Sequence, residues 1–154
     1  MSDIVEIDSR EKRHAITRIV EYFDTNRIRY ISGKLPVGDY RVYSRPLIVV
    51  DRKQNLSELA TNLGADKRRF MNEIRLASEL GVKLYFLCEH GGQIRSLEDV
   101  RTWQNPHGML SGAELYERMC RIHISYNVEW LFCDKRCTGR RIAEILGVIP
   151  EKVR

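Results

Sequence analysis

The sequence contains no apolar run of membrane-spanning length, no CxxC pair and no clustered histidines. Without such a run, neither a membrane anchor nor a membrane partner is expected. The first residues also lack the basic and apolar regions of a secretory signal, which makes a cytoplasmic location the default expectation. Without cysteine pairs or histidine spacing, reduced and mostly buried thiols are favoured over a zinc site.

What the chain does contain is typical of a globular domain. Its 154 residues are 43% hydrophobic and 31% charged, with no repeat, linker or low-complexity tract. One domain over residues 1–154 is therefore expected. The net charge of +5 and the pI near 9.1 are compatible with a polyanionic partner, although many proteins that bind no polyanion share such values.

Short apolar runs alternate with amphipathic segments along the chain. The runs predict strands over residues 4–7, 28–31, 40–43, 47–53, 82–88 and 128–133. Helical spacing predicts helices around residues 12–25, 56–63, 67–80, 97–103, 115–122 and 142–146. Strands separated by helices indicate an α/β fold with a mixed sheet, in which an antiparallel hairpin precedes crossover-connected strands.

A predicted hairpin carries the chemistry around which the chain is organised. Its turn is expected at residues 44–46, Ser-Arg-Pro, where proline fixes its own φ. That turn places Tyr43 opposite Leu47 and, further along the ladder, Asp39 opposite Asp51. Directly opposed side chains lie about 5 Å apart at Cβ, so two carboxylates are predicted to meet.

Asp51 and Lys53 lie two residues apart on one strand, so they share a face and converge with Asp39. Two carboxylates so close repel each other unless a cation lies between them or one of them takes up a proton. Oxygen ligands of this kind suit Mg²⁺ or Mn²⁺. The hairpin therefore indicates a metal-dependent phosphodiester hydrolase, and a phosphate substrate would also explain the basic excess.

Three segments occur in a fixed order: residues 5–11, Val-Glu-Ile-Asp-Ser-Arg-Glu, residues 38–40, Gly-Asp-Tyr, and residues 51–53, Asp-Arg-Lys. Together they resemble the nuclease domain of the XPF family of structure-specific endonucleases, part of the PD-(D/E)XK superfamily. The resemblance implies a restriction-endonuclease-like three-layer αβα sandwich with a central mixed β-sheet, here without a helix-hairpin-helix module. The second half looks like the stand-alone XPF-type domains of bacteriophages and prophages, which implies a bacterial or phage-infected cell.

The sequence departs from the family pattern at two acidic positions. Asp51 stands where the family has glutamate, a change that keeps the charge and the capacity to bind a metal. Ser57 stands at the last acidic position of the motif, with Glu58 beside it. Because only Glu58 is charged, it is the better candidate for the fourth acid.

The resemblance and the hairpin geometry together make Asp39 and Asp51 the principal metal ligands, with the Arg52 carbonyl as a third. A metal there would polarise the scissile phosphate and lower the pKa of an attacking water. Lys53 would orient that water or neutralise the charge that builds on the phosphate.

The resemblance also brings the segment after the first strand to the same site. Asp8 would complete the metal site, and Glu11 would bind a second metal or orient Lys53. The alternative is a helix start, with Asp8 as a cap and Glu11 in the first turn. Phosphate contacts are predicted for four cations, each weighed against simple solvent exposure: Arg10, Lys67, Arg68 and Arg69.

The first functional hypothesis is a Mg²⁺- or Mn²⁺-dependent endonuclease that cleaves DNA at branched, flap or junction structures, because the XPF family does so. A role in DNA repair or recombination and a homodimer are implied in the same way, with residues 128–133 and the last helix as candidate dimer surfaces. The second hypothesis is a non-catalytic DNA-binding partner subunit, although a partner has no need of the retained Asp39, Asp51 and Lys53. A third is an exonuclease or recombination nuclease of the same superfamily.

Overall fold

The computed structural model describes residues 3–148. Six strands form one sheet: β1 (Ile4–Asp8), β2 (Arg29–Gly33), β3 (Tyr40–Val42), β4 (Arg45–Lys53), β5 (Lys83–Cys88) and β6 (Glu129–Phe132). Five α-helices accompany it: α1 (Thr17–Thr25), α2 (Leu56–Leu63), α3 (Lys67–Glu79), α4 (Gly112–Tyr126) and α5 (Thr138–Leu146). Short 3₁₀ helices occupy Arg13–Ala15 and Leu97–Thr102.

The sheet is mixed, as predicted, with the strand order β2-β1-β3-β4-β5-β6. Only β3 runs against its neighbours β1 and β4, while β1–β2, β4–β5 and β5–β6 are parallel pairs. The other five strands therefore point the same way, and their carboxyl ends meet at one edge. This edge is where sites of open α/β sheets lie.

Helices cover both faces of the sheet, which confirms the predicted three-layer sandwich. On one face, α1 and α5 pack over a cluster that includes Val5, Phe23, Tyr40 and Ile142. On the other face, α2, α3 and α4 pack over a second cluster that includes Leu59, Ile74, Phe86, Met119 and Trp130. No helix within residues 3–148 is long and apolar enough to span a membrane.

The turn of the hairpin differs from the prediction. It consists of Tyr43 and Ser44 alone, and β4 already begins at Arg45, which pairs with Val42. The register then shifts between Arg41 and Val42, so that Arg41 pairs with Val49. The prediction missed this irregularity because proline and arginine suggested a loop, whereas here they belong to the extended, irregular start of a strand.

The register at the site is nevertheless the predicted one. Tyr40 pairs with Val50, and one step further along the ladder lie Asp39 and Asp51. Arg45 anchors the early part of β4 through hydrogen bonds to Asp3 at 2.9 Å and to the Leu146 carbonyl at 2.7 Å. The irregularity therefore compensates for the shorter turn, and the two strands are in the predicted register where they reach the carboxylates.

The first predicted helix also differs, because residues 12–25 do not form one continuous helix. A 3₁₀ turn over Arg13–Ala15 precedes α1, and Ile16 stands at the N-cap without a capping side chain. At the start of α4, by contrast, Ser111 forms a capping box with Glu114.

Candidate active site at the carboxyl edge of the sheet

The predicted site residues come from strand ends that meet at the carboxyl edge. Asp8 ends β1, Lys53 ends β4, and Asp39 directly precedes β3. Backbone hydrogen bonds tie these ends together, from Asp8 N to Asp39 O at 2.7 Å and from Asp39 N to Val50 O at 2.9 Å. They border an open cleft of about 360 Å³. Its charged lining consists of Asp8, Arg10, Glu11, Lys12, Asp39, Asp51, Arg52, Lys53, Glu58 and Glu73.

Asp39 and Asp51 are carboxylates whose charge is poorly solvated. Burial raises the pKa of Asp39 well above its ordinary value, the charge of Asp51 adds to the rise, and a 2.7 Å hydrogen bond from Arg52 N opposes it. Burial raises the pKa of Asp51 to about 6, the Lys53 ammonium limits that rise, and the charge of Glu73 adds to it. The arrangement favours a counter-cation or a shared proton over two free charges.

Lys53 lies between the acids and an aromatic floor. Its Nζ is 3.3 Å from Asp51 Oδ1 and stands 5.0 Å from the centre of the Phe70 ring and 5.8 Å from that of Phe86. Burial lowers the pKa of Lys53, but the surrounding carboxylates, Asp51 first, outweigh it and raise the pKa above its ordinary value. Lys53 therefore stays protonated, as a buried cation held by an acid and two rings.

Arg52 is held in a network of charged side chains. Its Nε and Nη2 donate to the two carboxylate oxygens of Glu11 at 3.0 and 2.9 Å. Its Nη1 donates to Glu89 Oε1 at 2.5 Å, and Thr138 Oγ1, at the start of α5, donates to Glu89 Oε2 at 2.6 Å. Burial would lower the pKa of Arg52, but Glu11 and Glu89 together raise it. Glu11 thus lies at the cleft with both of its oxygens engaged by a guanidinium.

Asp8 also lines the cleft with both carboxylate oxygens engaged. Arg10 donates to them through Nε at 2.8 Å and Nη2 at 3.1 Å, and Leu35 N donates to Oδ1 at 3.0 Å. Arg10 also donates to the Leu35 carbonyl at 2.9 Å. Asp8 and Arg10 therefore fix the segment that leads into Asp39, and Asp8 does not cap α1.

The donor chemistry of the cleft fits a hard divalent cation. Its lining contains carboxylates and no histidine or cysteine, and burial raises the pKa of Asp39 and of Asp51 despite the nearby Lys53 ammonium, so a further cation would stabilise their charged forms. Glu58 and Glu73 line the same cleft, and Glu58 accepts a hydrogen bond from Gln54 N at 2.7 Å. Within residues 3–148, no group of three or more His, Cys, Asp or Glu side chains is arranged to hold a metal ion.

The predicted phosphate-binding cations fall in different places. Arg10 lines the cleft, whereas Lys67 lines a separate groove between α3 and α4. Arg68 and Arg69 are exposed on the first turn of α3 and line neither hollow. Arg69 lies one turn before Glu73, so it faces the same side of α3 as a residue of the cleft.

Sequence reasoning missed the groups that support Arg52 and Lys53. Glu89 directly follows β5, and the neighbouring position of β5 and β4 brings it to Arg52. Phe70 and Phe86 read as ordinary core residues in the sequence. The signal for Glu89 was an acid at a strand end, but only the strand order tells which partner it meets.

Comparisons with known proteins agree with this architecture. The family model described as the ERCC4 domain matches residues 7–143. The structure of XPF from Aeropyrum pernix superposes with a TM-score of 0.68 at 22% identity, over 93% of this chain and 63% of that one. XPF from Aeropyrum pernix in complex with DNA gives a TM-score of 0.68 at 20% identity, over 94% of this chain and 64% of that one. The chain thus spans less than two thirds of either structure, and no curated protein matches it.

Proposed function

The chain belongs to the ERCC4 domain family, and on that premise we propose that it is a Mg²⁺- or Mn²⁺-dependent endonuclease that hydrolyses DNA phosphodiester bonds at branched, flap or junction structures. The observation that carries the proposal is the convergence of Asp39, Asp51 and Lys53 at one cleft. Support for DNA as the substrate comes from the basic net charge of +5 and from the fold shared with XPF from Aeropyrum pernix, whose structure includes bound DNA.

Asp39 and Asp51, with the Arg52 carbonyl, would hold the divalent cation. When bound, it supplies Lewis acidity to the phosphate and lowers the pKa of water. The protein's own contribution is to keep two carboxylates ready as oxygen donors in a site where their charges are unfavourable without a cation.

Lys53 acts as a cation in this proposal and not as a base. Its raised pKa keeps the ammonium charged, so it cannot accept a proton from water at neutral pH. From its position beside Asp51 and above Phe70 it would stabilise the negative charge that grows on the phosphate. Arg10, whose side chain is 61% exposed at the rim while it is paired with Asp8, would contact a flanking phosphate.

The alternative, a non-catalytic DNA-binding partner subunit, leaves the site unexplained. Burying Asp39 and Asp51 together costs free energy, and a subunit without chemistry has no reason to retain that cost. A homodimer, a role in repair or recombination and kinship with stand-alone phage domains are further parts of the proposal. The mass of the purified protein in solution tests the first of them.

The test compares wild-type protein with Asp51→Asn on flap, Y-form, four-way junction and linear DNA, in Mn²⁺, Mg²⁺ and chelator. Cleavage of a branched substrate by the wild type alone, and only with the cation, is expected. If both proteins bind DNA but neither cleaves any of the substrates, the proposal is wrong and the partner-subunit alternative stands.

A second readout does not depend on cleavage. Because the cation binds the folded state, we expect saturating Mg²⁺ or Mn²⁺ at about 100 times Kd to stabilise the wild type by about 2.7 kcal/mol. Asp51→Asn should lose most of that gain in thermal unfolding. An equal gain in both proteins would place the cation elsewhere.

A further inference from the structure

A groove between α2, α3 and α4 gathers positive charge away from the catalytic cleft. It has a volume of about 180 Å³. Its floor is mainly apolar and is formed by Leu63, Met71, Ile122, Ser125 and Tyr126. Lys67 from α3 and Arg118 and Arg121 from α4 line it, and no acidic residue does. We call this feature the cationic groove.

The three cations of the groove are poorly neutralised. Arg118 is oriented by a hydrogen bond from Nη1 to the Leu63 carbonyl at 2.5 Å, a contact that brings no negative charge. Arg121 reaches Glu117 only at 3.8 Å, with side chains 78% and 70% exposed. Within residues 3–148, the Lys67 side chain forms no hydrogen bond or ion pair, and its backbone N–H donates to the Gly64 carbonyl. Gathering such charges is unfavourable unless an anion binds between them.

The cationic groove and the cleft lie on different sides of α3. Lys67 lines the groove and Glu73 lines the cleft, six positions further along the helix. At 100° per residue these two positions are about 120° apart around the helix axis. The first turn of α3, with Arg68 and Arg69, therefore stands between the two hollows.

We infer that the cationic groove binds the sugar-phosphate backbone of a DNA segment other than the one cleaved. This inference rests on DNA being the substrate in the proposed function. The three cations suit phosphates, and the apolar floor suits the deoxyribose between them. Because the inferred contacts are to phosphates and sugars and not to base edges, binding at the groove is independent of sequence and sensitive to salt.

The test removes two exposed charges, in the double variant Lys67→Gln with Arg121→Gln. Binding of a labelled flap DNA is measured in chelator, between about 50 and 200 mM salt. Losing one or two phosphate contacts should weaken binding and reduce the slope of log K against log salt by about 1 to 2. The matched control is Arg75→Gln with Arg101→Gln, which removes the same charge from exposed positions outside the groove and should change the slope less.

Further variants separate this inference from the proposed catalytic function. Lys67→Arg with Arg121→Lys keeps both charges and should restore the slope. Asp51→Asn should abolish cleavage and keep the wild-type slope. An unchanged slope in the Gln double variant, a loss no larger than in the control, or no DNA binding by the wild type would overturn the inference, whatever the cleavage assay shows.

Discussion

At the scale of single residues, the cleft concentrates ionisable groups that burial has moved from their ordinary pKa values. Asp51 is 7% exposed and Lys53 is 8% exposed, and the 3.3 Å contact between them offsets only part of the cost of burying their charges. Asp39 has no comparable side-chain partner, since its hydrogen bond comes from a backbone N–H. The raised pKa values of the two acids should make the stability of the protein without metal depend on pH.

In chelator, Asp51 should make stability fall as the pH rises. Its pKa in the folded protein is about 6 against 3.8 in the unfolded chain, so its contribution is complete below pH 3.8 and is lost as the pH rises through 6. The asparagine of the Asp51→Asn variant does not ionise in this pH range. The free energy of unfolding of the variant, relative to wild type, should therefore grow by about 2–3 kcal/mol between pH 4 and 7. Urea titrations across that range measure it.

Asp134→Asn is the control for this pH dependence. Arg136 lowers the pKa of Asp134 by a side-chain hydrogen bond, so the stabilisation that Asp134 provides is present above pH 3.8 and is lost only at lower pH. Its variant should differ from wild type by a constant amount from pH 5 upward. A constant difference for Asp51→Asn as well would show that Asp51 titrates normally.

At the scale of elements, the approach to β3 is set by one glycine. Gly38 has φ +70°, and a Cβ added there would overlap Val49 Cγ1 on the neighbouring strand. Gly38→Ala should therefore destabilise the protein by about 2–4 kcal/mol, because it combines left-handed strain with a clash in the sheet. It should also displace Asp39, the next residue, and reduce the stabilisation by Mg²⁺. Chemical denaturation with and without the cation tests both effects.

Gly81→Ala separates conformational strain from the clash. Gly81 has φ +72°, almost the value of Gly38, but nothing lies within 4 Å of an added Cβ. The cost of this change should be about 1–2 kcal/mol, with the response to Mg²⁺ unchanged. Equal losses in the two variants would mean that contact with β4 does not position Asp39.

The same element shows what sequence can and cannot predict. Alternation and turn residues predicted two paired strands, and the register of Asp39 and Asp51 followed from counting. Counting did not give the position of the turn, because an irregularity in β4 compensates for the two-residue turn at Tyr43–Ser44. That irregularity depends on Arg45 reaching Asp3 and the Leu146 carbonyl, contacts that only the folded chain creates.

At the scale of the whole molecule, the Arg52 network joins distant parts of the chain. It connects Glu11 after β1, Arg52 in β4, Glu89 after β5 and Thr138 in α5. The side chains of Arg52, Glu11 and Glu89 are each less than 10% exposed. Because Arg52 also supplies the backbone N–H that binds Asp39, the network supports the candidate site from the far side of the sheet.

Glu89→Gln and Thr138→Val should each destabilise the protein, by about 1–2 kcal/mol, since each weakens a buried hydrogen bond. The double variant should cost less than the sum, because both residues share the Thr138–Glu89 bond. Urea denaturation of the four proteins gives this coupling. Glu144→Gln, at a side chain 50% exposed, should cost under about 0.5 kcal/mol as the control. If the losses of stability in the two single variants add up to the loss in the double variant, the Thr138–Glu89 hydrogen bond does not contribute to stability.

The wider site was only partly accessible from sequence. Asp8, Glu11, Asp39, Asp51 and Lys53 were expected together, and all line one cleft. Which acids are already paired was not accessible, because it depends on Arg10 and Arg52 folding back on Asp8 and Glu11. The cationic groove was also missed, since Lys67 and Arg121 are more than fifty positions apart and meet only through helix packing.

The irregular pairing of the hairpin has a practical consequence for protein engineering. Tyr43 is 63% exposed and Leu47 is 56% exposed at the amino edge of the sheet, opposite the edge that carries the cleft. Because the strands recover their register between this turn and Tyr40, a change of length at the turn need not reach Asp39. The junction between Tyr43 and Ser44 is thus the natural point at which to insert a reporter peptide.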